Sequence, residues 1–152
     1  FVPINDMNDT RNGEWLDPET ARPGLSAVDA NTGDILWSHV QENVCGAGRP
    51  FCDPGISAAI TATDGAVIAG HLDGIIRIYD SQSGEVIWSY NTTTPVTGTN
   101  GVTAKGGGMS GSGPAIAAGH MVINSGYGLY NHEAGNALLV FAPRSEGAMS
   151  ER

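Results

Sequence analysis

Leu25-Ser26-Ala27-Val28-Asp29-Ala30-Asn31-Thr32-Gly33-Asp34-Ile35-Leu36-Trp37-Ser38 and Ile76-Arg77-Ile78-Tyr79-Asp80-Ser81-Gln82-Ser83-Gly84-Glu85-Val86-Ile87-Trp88-Ser89 are two copies of one pattern. Asp29 and Asp80, Gly33 and Gly84, and Trp37 and Trp88 are each 51 positions apart, without a gap. In both copies an acidic residue follows the glycine and two aliphatics precede the tryptophan. Each copy reads as a hairpin: a β-rich strand, a turn whose aspartate bonds the backbone two residues on and whose glycine takes positive φ, and a return strand. A repeat of about 50 residues points to a propeller or a solenoid.

Working outward from the second copy gives a whole blade. Ser57 to Ala62 is a small-residue strand, suited to the crowded axis, and a Thr63-Asp64-Gly65 turn follows it. Ala66 to Gly70 is a second strand, joined to the Ile75–Tyr79 hairpin by His71-Leu72-Asp73-Gly74. Four short antiparallel strands in succession make a propeller blade. A degenerate third copy follows. Pro114–Ala118, Met121–Asn124 and Ala137–Phe141 match its first three strands, with Phe141 in the place of Tyr79. Phe1–Ile4 reads as the tail of a second strand, with 5–23 an enlarged loop before Gly24. The expectation is all-β: blades over about 1–43, 56–94 and 112–143, and a polar tail over 144–152. Two and a half blades cannot close a ring, which needs roughly four to eight. The chain therefore reads as a piece of a larger propeller, near its C-terminal end. A strand from elsewhere would complete the last blade. A three-bladed unit completed by oligomerisation is the alternative.

Composition narrows the function. The 152 residues carry 7 Lys+Arg against 16 Asp+Glu, a formal charge of −9, which argues against a nucleic-acid track or an anionic membrane surface as the main partner. No apolar run approaches the roughly 18 residues of a membrane span. With 22 glycines and 8 prolines the chain is rich in turns. Cys45 and Cys52 enclose a Gly/Pro loop and form no C-x-x-C, which excludes a zinc ribbon and a thioredoxin motif. The loop allows the pair to close into a disulfide, which would place the protein in an oxidising compartment; two free thiols are the alternative. His39, His71, His120 and His132 have no metal-ligand spacing.

The hairpin pattern Ala27-x-Asp29-x-x-Thr32-Gly33-x-x-x-Trp37 resembles the tryptophan-docking motif of pyrroloquinoline-quinone (PQQ) propellers. WD40 units are shorter and kelch units repeat a Gly-Gly doublet that occurs here only around Gly106–Gly108. A narrower resemblance, to PQQ-dependent polyvinyl-alcohol dehydrogenases, covers about Val2 to Pro143: Cys45 to Asp80, with Cys52-Asp53-Pro54-Gly55-Ile56-Ser57-Ala58-Ala59 and Gly70–Gly74, and Asn100 through Gly107-Gly108-Met109-Ser110-Gly111-Ser112-Gly113-Pro114 to Gly128. The resemblance implies an eight-bladed periplasmic or secreted bacterial quinoprotein. It would oxidise secondary alcohol groups of a polymer and pass electrons through PQQ to a cytochrome c. It also implies an aspartate base, a calcium ion and, in related alcohol dehydrogenases, two adjacent cysteines. This chain has no adjacent pair, and neither the base nor the calcium ligands are assignable from the sequence.

Strand direction gathers the 71–74 loop, the linkers 38–56 and 91–113, and the 125–136 loop on one face. The expected cofactor contacts are Asn100, Gly108, Met109, Ser110 and Arg49: the glycines for close backbone approach, Met109 on the ring, Asn100 and Ser110 as hydrogen-bonders, Arg49 for an anionic quinone. The expected substrate contacts are His71 with Asp73, then Tyr127, Tyr130 and His132. Structural readings stand beside these: a tight turn for Asp73-Gly74, a plain linker for the glycines, a rim charge for Arg49. A non-catalytic scaffold resembling outer-membrane assembly factors, or a sugar- or polymer-binding module, is the alternative function.

Overall fold

The computed structural model describes residues 1–6, 20–46, 49–127 and 132–143. These hold twelve strands and, among the described residues, no helix. The expected 144–152 tail and Tyr130 lie outside them. Three antiparallel sheets follow one another. The first orders β1 (Val2–Ile4), β2 (Gly24–Val28) and β3 (Ile35–Val40). The second orders β4 (Thr61–Thr63), β5 (Ala66–Gly70), β6 (Ile75–Asp80) and β7 (Val86–Asn91). A small ribbon, β8 (Val96–Thr97) with β9 (Thr103–Ala104), interrupts the linker. The last sheet orders β10 (Ala115–Ala117), β11 (His120–Ser125) and β12 (Ala137–Phe141). Meandering sheets in succession are partial propeller blades.

The repeat is reproduced bond by bond. Asp29 Oδ1 accepts from Asn31 and Thr32 N–H, as Asp80 Oδ1 does from Gln82 and Ser83. The hydroxyl of Thr32 accepts from Asp34 N–H and that of Ser83 from Glu85 N–H, so the Thr/Ser exchange keeps the bond. Gly33 and Gly84 take φ of 80° and 74°. The strand register shifts at Ala27/Val28 and again at Ile78/Tyr79, the matching position. Both aspartates have pKa values lowered, first by the backbone N–H groups that bond their carboxylates.

Trp37 docks the first sheet on the second. Its indole N–H donates to Ser81 O (3.1 Å), and its ring lies over Gly84, where a Cβ would come within 2.5 Å of Cε3. Leu25, Ile56, Val67, Ala69 and Tyr79 form the core at that seam. Ile68, Ile76, Met109 and Ile123 form the next core, with Tyr90, Leu139 and Phe141 against it. Alternate residues of β5 thus serve different seams, and the middle sheet is covered on both faces.

The innermost strand differs from expectation: β4 begins at Thr61 rather than Ser57. The preceding residues turn to the next sheet instead of to β5. Ala59 N–H donates to Gly111 O (3.3 Å), Gly113 lies against the Ala59 carbonyl, and the Thr61 hydroxyl donates to Pro114 O. Backbone donors engaged across a seam cannot also form a ladder.

Candidate functional site

One end of the three sheets gathers the interconnecting loops. Leu72 N–H donates to Gly55 O, Met109 N–H to His71 O, Gly108 N–H to Glu133 O, and Gly126 N–H to Gly108 O. The Asp-x-x-Thr/Ser-Gly turns lie at the other end of their strands.

Cys45 and Cys52 form a disulfide, with Cα atoms 5.5 Å apart. Inside the ring Cys52 N–H donates to Arg49 O. The Arg49 guanidinium donates to Asp73 O (2.7 Å) and, through Nε and Nη2, to Glu133 Oε2 (3.2 and 2.5 Å). Lys105 Nζ approaches the other Glu133 oxygen at 3.4 Å. Arg49 is therefore a cross-loop clamp, and its charge is matched within the chain.

His71 is fully buried. Its Nδ1–H donates to Pro54 O (2.7 Å), and the acceptor-only carbonyl fixes that tautomer. Nε2 then accepts from the Tyr79 hydroxyl (2.9 Å). Burial, aided by the Arg77 charge, lowers the His71 pKa to about 3, so the ring is neutral. Asp73 is equally buried; its two oxygens take the Arg77 guanidinium at 3.1 and 2.7 Å, and Oδ1 also takes Ile75 N–H. Burial raises its pKa against the Arg77 hydrogen bonds. Expected as substrate contacts, these two side chains instead brace the loop from within, with their polar atoms committed.

The glycine segment is also turned inward. Gly106 N–H donates to Thr92 O, Gly107 N–H to Ser125 Oγ, and Gly108 N–H to Glu133 O, so the donors expected to face a cofactor are already bonded. A Cβ on Gly106, Gly107 or Gly108 would meet Thr92, the Glu133–Ala134 backbone or Leu72 O and His132. The glycines permit backbone-to-backbone packing of the 132–135 loop on the linker. Met109 is 3% exposed and fills the seam under Gly70 and beside Ile123, not a ligand ring. Asn100 caps the tip of the β8–β9 hairpin, its Oδ1 taking Val102 N–H (3.0 Å). Ser110 is half-buried where the linker leaves the loop cluster. Tyr127 is 59% exposed at the rim, and His132 is half-buried with its pKa lowered by that burial.

The sequence does not single out Asp53 as a site residue. It is 2% exposed. Oδ1 accepts Gly55 N–H at 2.6 Å, and Oδ2 is buried with no hydrogen-bond partner among the described residues. Burial, with smaller contributions from Asp73 and Asp6, pushes its pKa up to about 6 against the Gly55 bond. Asn5 Oδ1, also buried and unpartnered, lies beside it: both side chains come within 2.7 Å of the point a Gly55 Cβ would occupy. The available signal was a carboxylate in Cys-Asp-Pro-Gly, ahead of a run of small, mostly apolar residues.

A calcium ion takes about six to eight oxygens. Asn5 and Asp53 fall short of that, and no group of three or more His, Cys, Asp or Glu able to hold a metal occurs among the described residues. Of the residues expected to contact a quinone, Arg49 and the Gly108 N–H are bonded within the loop cluster, Met109 is buried in the seam, and Asn100 caps the β8–β9 tip.

Three sheets keyed by a docked indole, with their loops drawn to one end, define a partial quinoprotein-type propeller. The chain belongs to the PQQ_2 family, described as outer membrane protein assembly factor BamB, which matches residues 16–142. It is similar to the polyvinylalcohol dehydrogenase of Sphingopyxis sp. (strain 113P3), 37% identical over 120 residues, 77% of this chain and 18% of that protein. It is 32% identical over 152 residues to the polyvinylalcohol dehydrogenase of Pseudomonas sp., covering 93% of this chain and 22% of that protein. It is 32% identical over 108 residues to the dehydrogenase subunit of a quinone alcohol dehydrogenase of Gluconacetobacter polyoxogenes, 67% of this chain and 13% of that protein. The chain thus spans about a fifth or less of these relatives. No helix among the described residues is long and apolar enough to cross a membrane.

Proposed function

We propose that this chain is part of a PQQ-dependent alcohol dehydrogenase acting on secondary alcohol groups, polyvinyl alcohol among them, in which Asp53 receives the alcohol proton. The observation that carries this is the buried, unpartnered Oδ2 of Asp53. A buried acceptor without a donor costs roughly 1–3 kcal/mol, so this oxygen is held without a partner at a cost in stability. A pKa near 6 keeps the carboxyl mostly ionised at neutral pH yet able to hold a proton, as a general base requires. The quinone supplies the two-electron acceptor when bound. Its contacts, any calcium ligands and the remainder of the ring come from other blades. Cytochrome c as electron acceptor and a periplasmic or secreted location follow from the same resemblance and are part of the proposal.

Within this chain the other residues act as support. His71 holds Pro54 and Asp73 holds Arg77, so the backbone that carries Asp53 is fixed. Gly106–Gly108 and Met109 pack the loop floor, Arg49 clamps it, and the exposed Tyr127 is the residue of this loop we assign to polymer contact. The family description favours a second reading, a scaffold for assembly without chemistry. The test is dye reduction by the full-length protein loaded with PQQ, with polyvinyl alcohol and with simple secondary alcohols. Quinone absorbance retained on the protein and alcohol-dependent reduction are expected. Failure to retain quinone would exclude the enzyme reading.

A further inference from the structure

We infer that the ring closed by Cys45–Cys52, acting with Arg49, is a positioning element for the Asp53 carboxyl. The inference rests on the reading of Asp53 as proton acceptor. Asp53 directly follows Cys52. On its C-terminal side the backbone is held by hydrogen bonds: His71 Nδ1–H to Pro54 O (2.7 Å), Leu72 N–H to Gly55 O (3.0 Å), and Ile56 N–H to Ile4 O (3.1 Å). On its N-terminal side the hold is of another kind. The disulfide ties Cys52 to Cys45, whose N–H is bonded to Asn43 Oδ1, and the Cys52 N–H bonds Arg49 O within the ring. The Arg49 side chain then fastens the ring to the 71–74 loop through Asp73 O and to the third sheet through Glu133. Asp53 sits between the two clamps. Opening the N-terminal one frees the Cys52–Asp53 peptide to turn and lets water reach a carboxyl that burial now keeps dry.

The charges around Asp53 come from each element packed on it. Asp6 follows β1, and Asp73 in the β5–β6 loop carries Arg77 of β6 and Arg49 of the ring as counter-charges, while His71 is neutral. Removing the Arg49 charge would by itself raise neighbouring carboxyl pKa values, whereas hydration of Asp53 lowers its own. Arg49→Lys keeps the charge and loses the fork that reaches both partners, so it isolates geometry from charge.

The experiment is a site-resolved NMR titration of the full-length protein labelled with carboxyl-13C aspartate, with Asp53→Asn to assign the Asp53 signal. The Asp53 midpoint is expected to fall by about one pH unit in Cys45→Ser/Cys52→Ser and by about half as much in Arg49→Lys, as desolvation is relieved. If the parent Asp53 titrates in the ordinary carboxylate range, the proton-acceptor reading itself fails. If it titrates high in the parent and stays there in both folded variants, the positioning inference is overturned and the proton-acceptor reading stands. Should the double cysteine variant lose its dispersed spectrum, Arg49→Lys, which leaves the disulfide intact, decides alone.

Discussion

Gly33→Ala and Gly84→Ala make a matched pair that isolates the docking of one blade on the next. The two glycines occupy the same turn position, with φ of 80° and 74° and matching hydrogen bonds to Asp29 O and Asp80 O. A Cβ at Gly33 meets nothing within 4 Å; at Gly84 it would lie 2.5 Å from Trp37 Cε3 and 2.8 Å from Cδ2. Left-handed backbone costs an alanine roughly 1–2 kcal/mol, and both variants bear that cost. Gly84→Ala also forces the indole off its seat, a packing conflict of about 1–3 kcal/mol, and strains the Trp37–Ser81 bond, worth about 1 kcal/mol. Urea denaturation followed by tryptophan fluorescence should therefore place Gly84→Ala about 2–4 kcal/mol below Gly33→Ala. In a Trp37→Ala background the difference should vanish. Equal losses in the two alanine variants, or a difference that survives without Trp37, would refute the docking account.

Further outcomes follow from the buried polar groups. Asp53 has a folded pKa raised from 3.8 to about 6, so folding favours its protonated form; its contribution is intact below pH 3.8 and lost as pH rises through 6. Asp53→Asn should accordingly stabilise the chain at pH 7 by about 2–3 kcal/mol and give no gain near pH 3.5, read from urea midpoints at the two pH values. His71 runs the other way: its folded pKa of about 3 lies below the unfolded 6.5, so stability present above pH 6.5 is lost as pH falls towards 3. His71→Gln should remove most of that acid limb in a pH series of thermal melts. Arg77→Met leaves Asp73 buried without its partner and should cost about 3–5 kcal/mol in the same denaturation assay.

The repeat was legible in the sequence because its physics is local. An Asp, a hydroxyl and a Gly three or four residues apart close their own turn, so Asp29–Gly33 and Asp80–Gly84 declare their hydrogen bonds without reference to the remainder of the fold. The start of β4 was not legible, since the Ala59 N–H bonds Gly111 O, far along the chain. The glycines of 106–108 mark close backbone approach, but their sequence does not say what approaches: a flat ligand and the Glu133 backbone ask for the same missing side chain. Met109 and His71 likewise read as ligand contacts because loops on the expected face are open by default, whereas here the loops pack on one another. Asp53 is not legible because Asp-Pro-Gly is an ordinary turn on paper, and only burial of Oδ2 without a donor among the described residues distinguishes it.

The most direct test of the account is turnover by the full-length, PQQ-loaded protein carrying Asp53→Asn, with quinone absorbance measured on the same sample. Retained quinone with turnover reduced by about 10²–10⁴-fold is expected for loss of a proton acceptor. Retained quinone with undiminished turnover would contradict it.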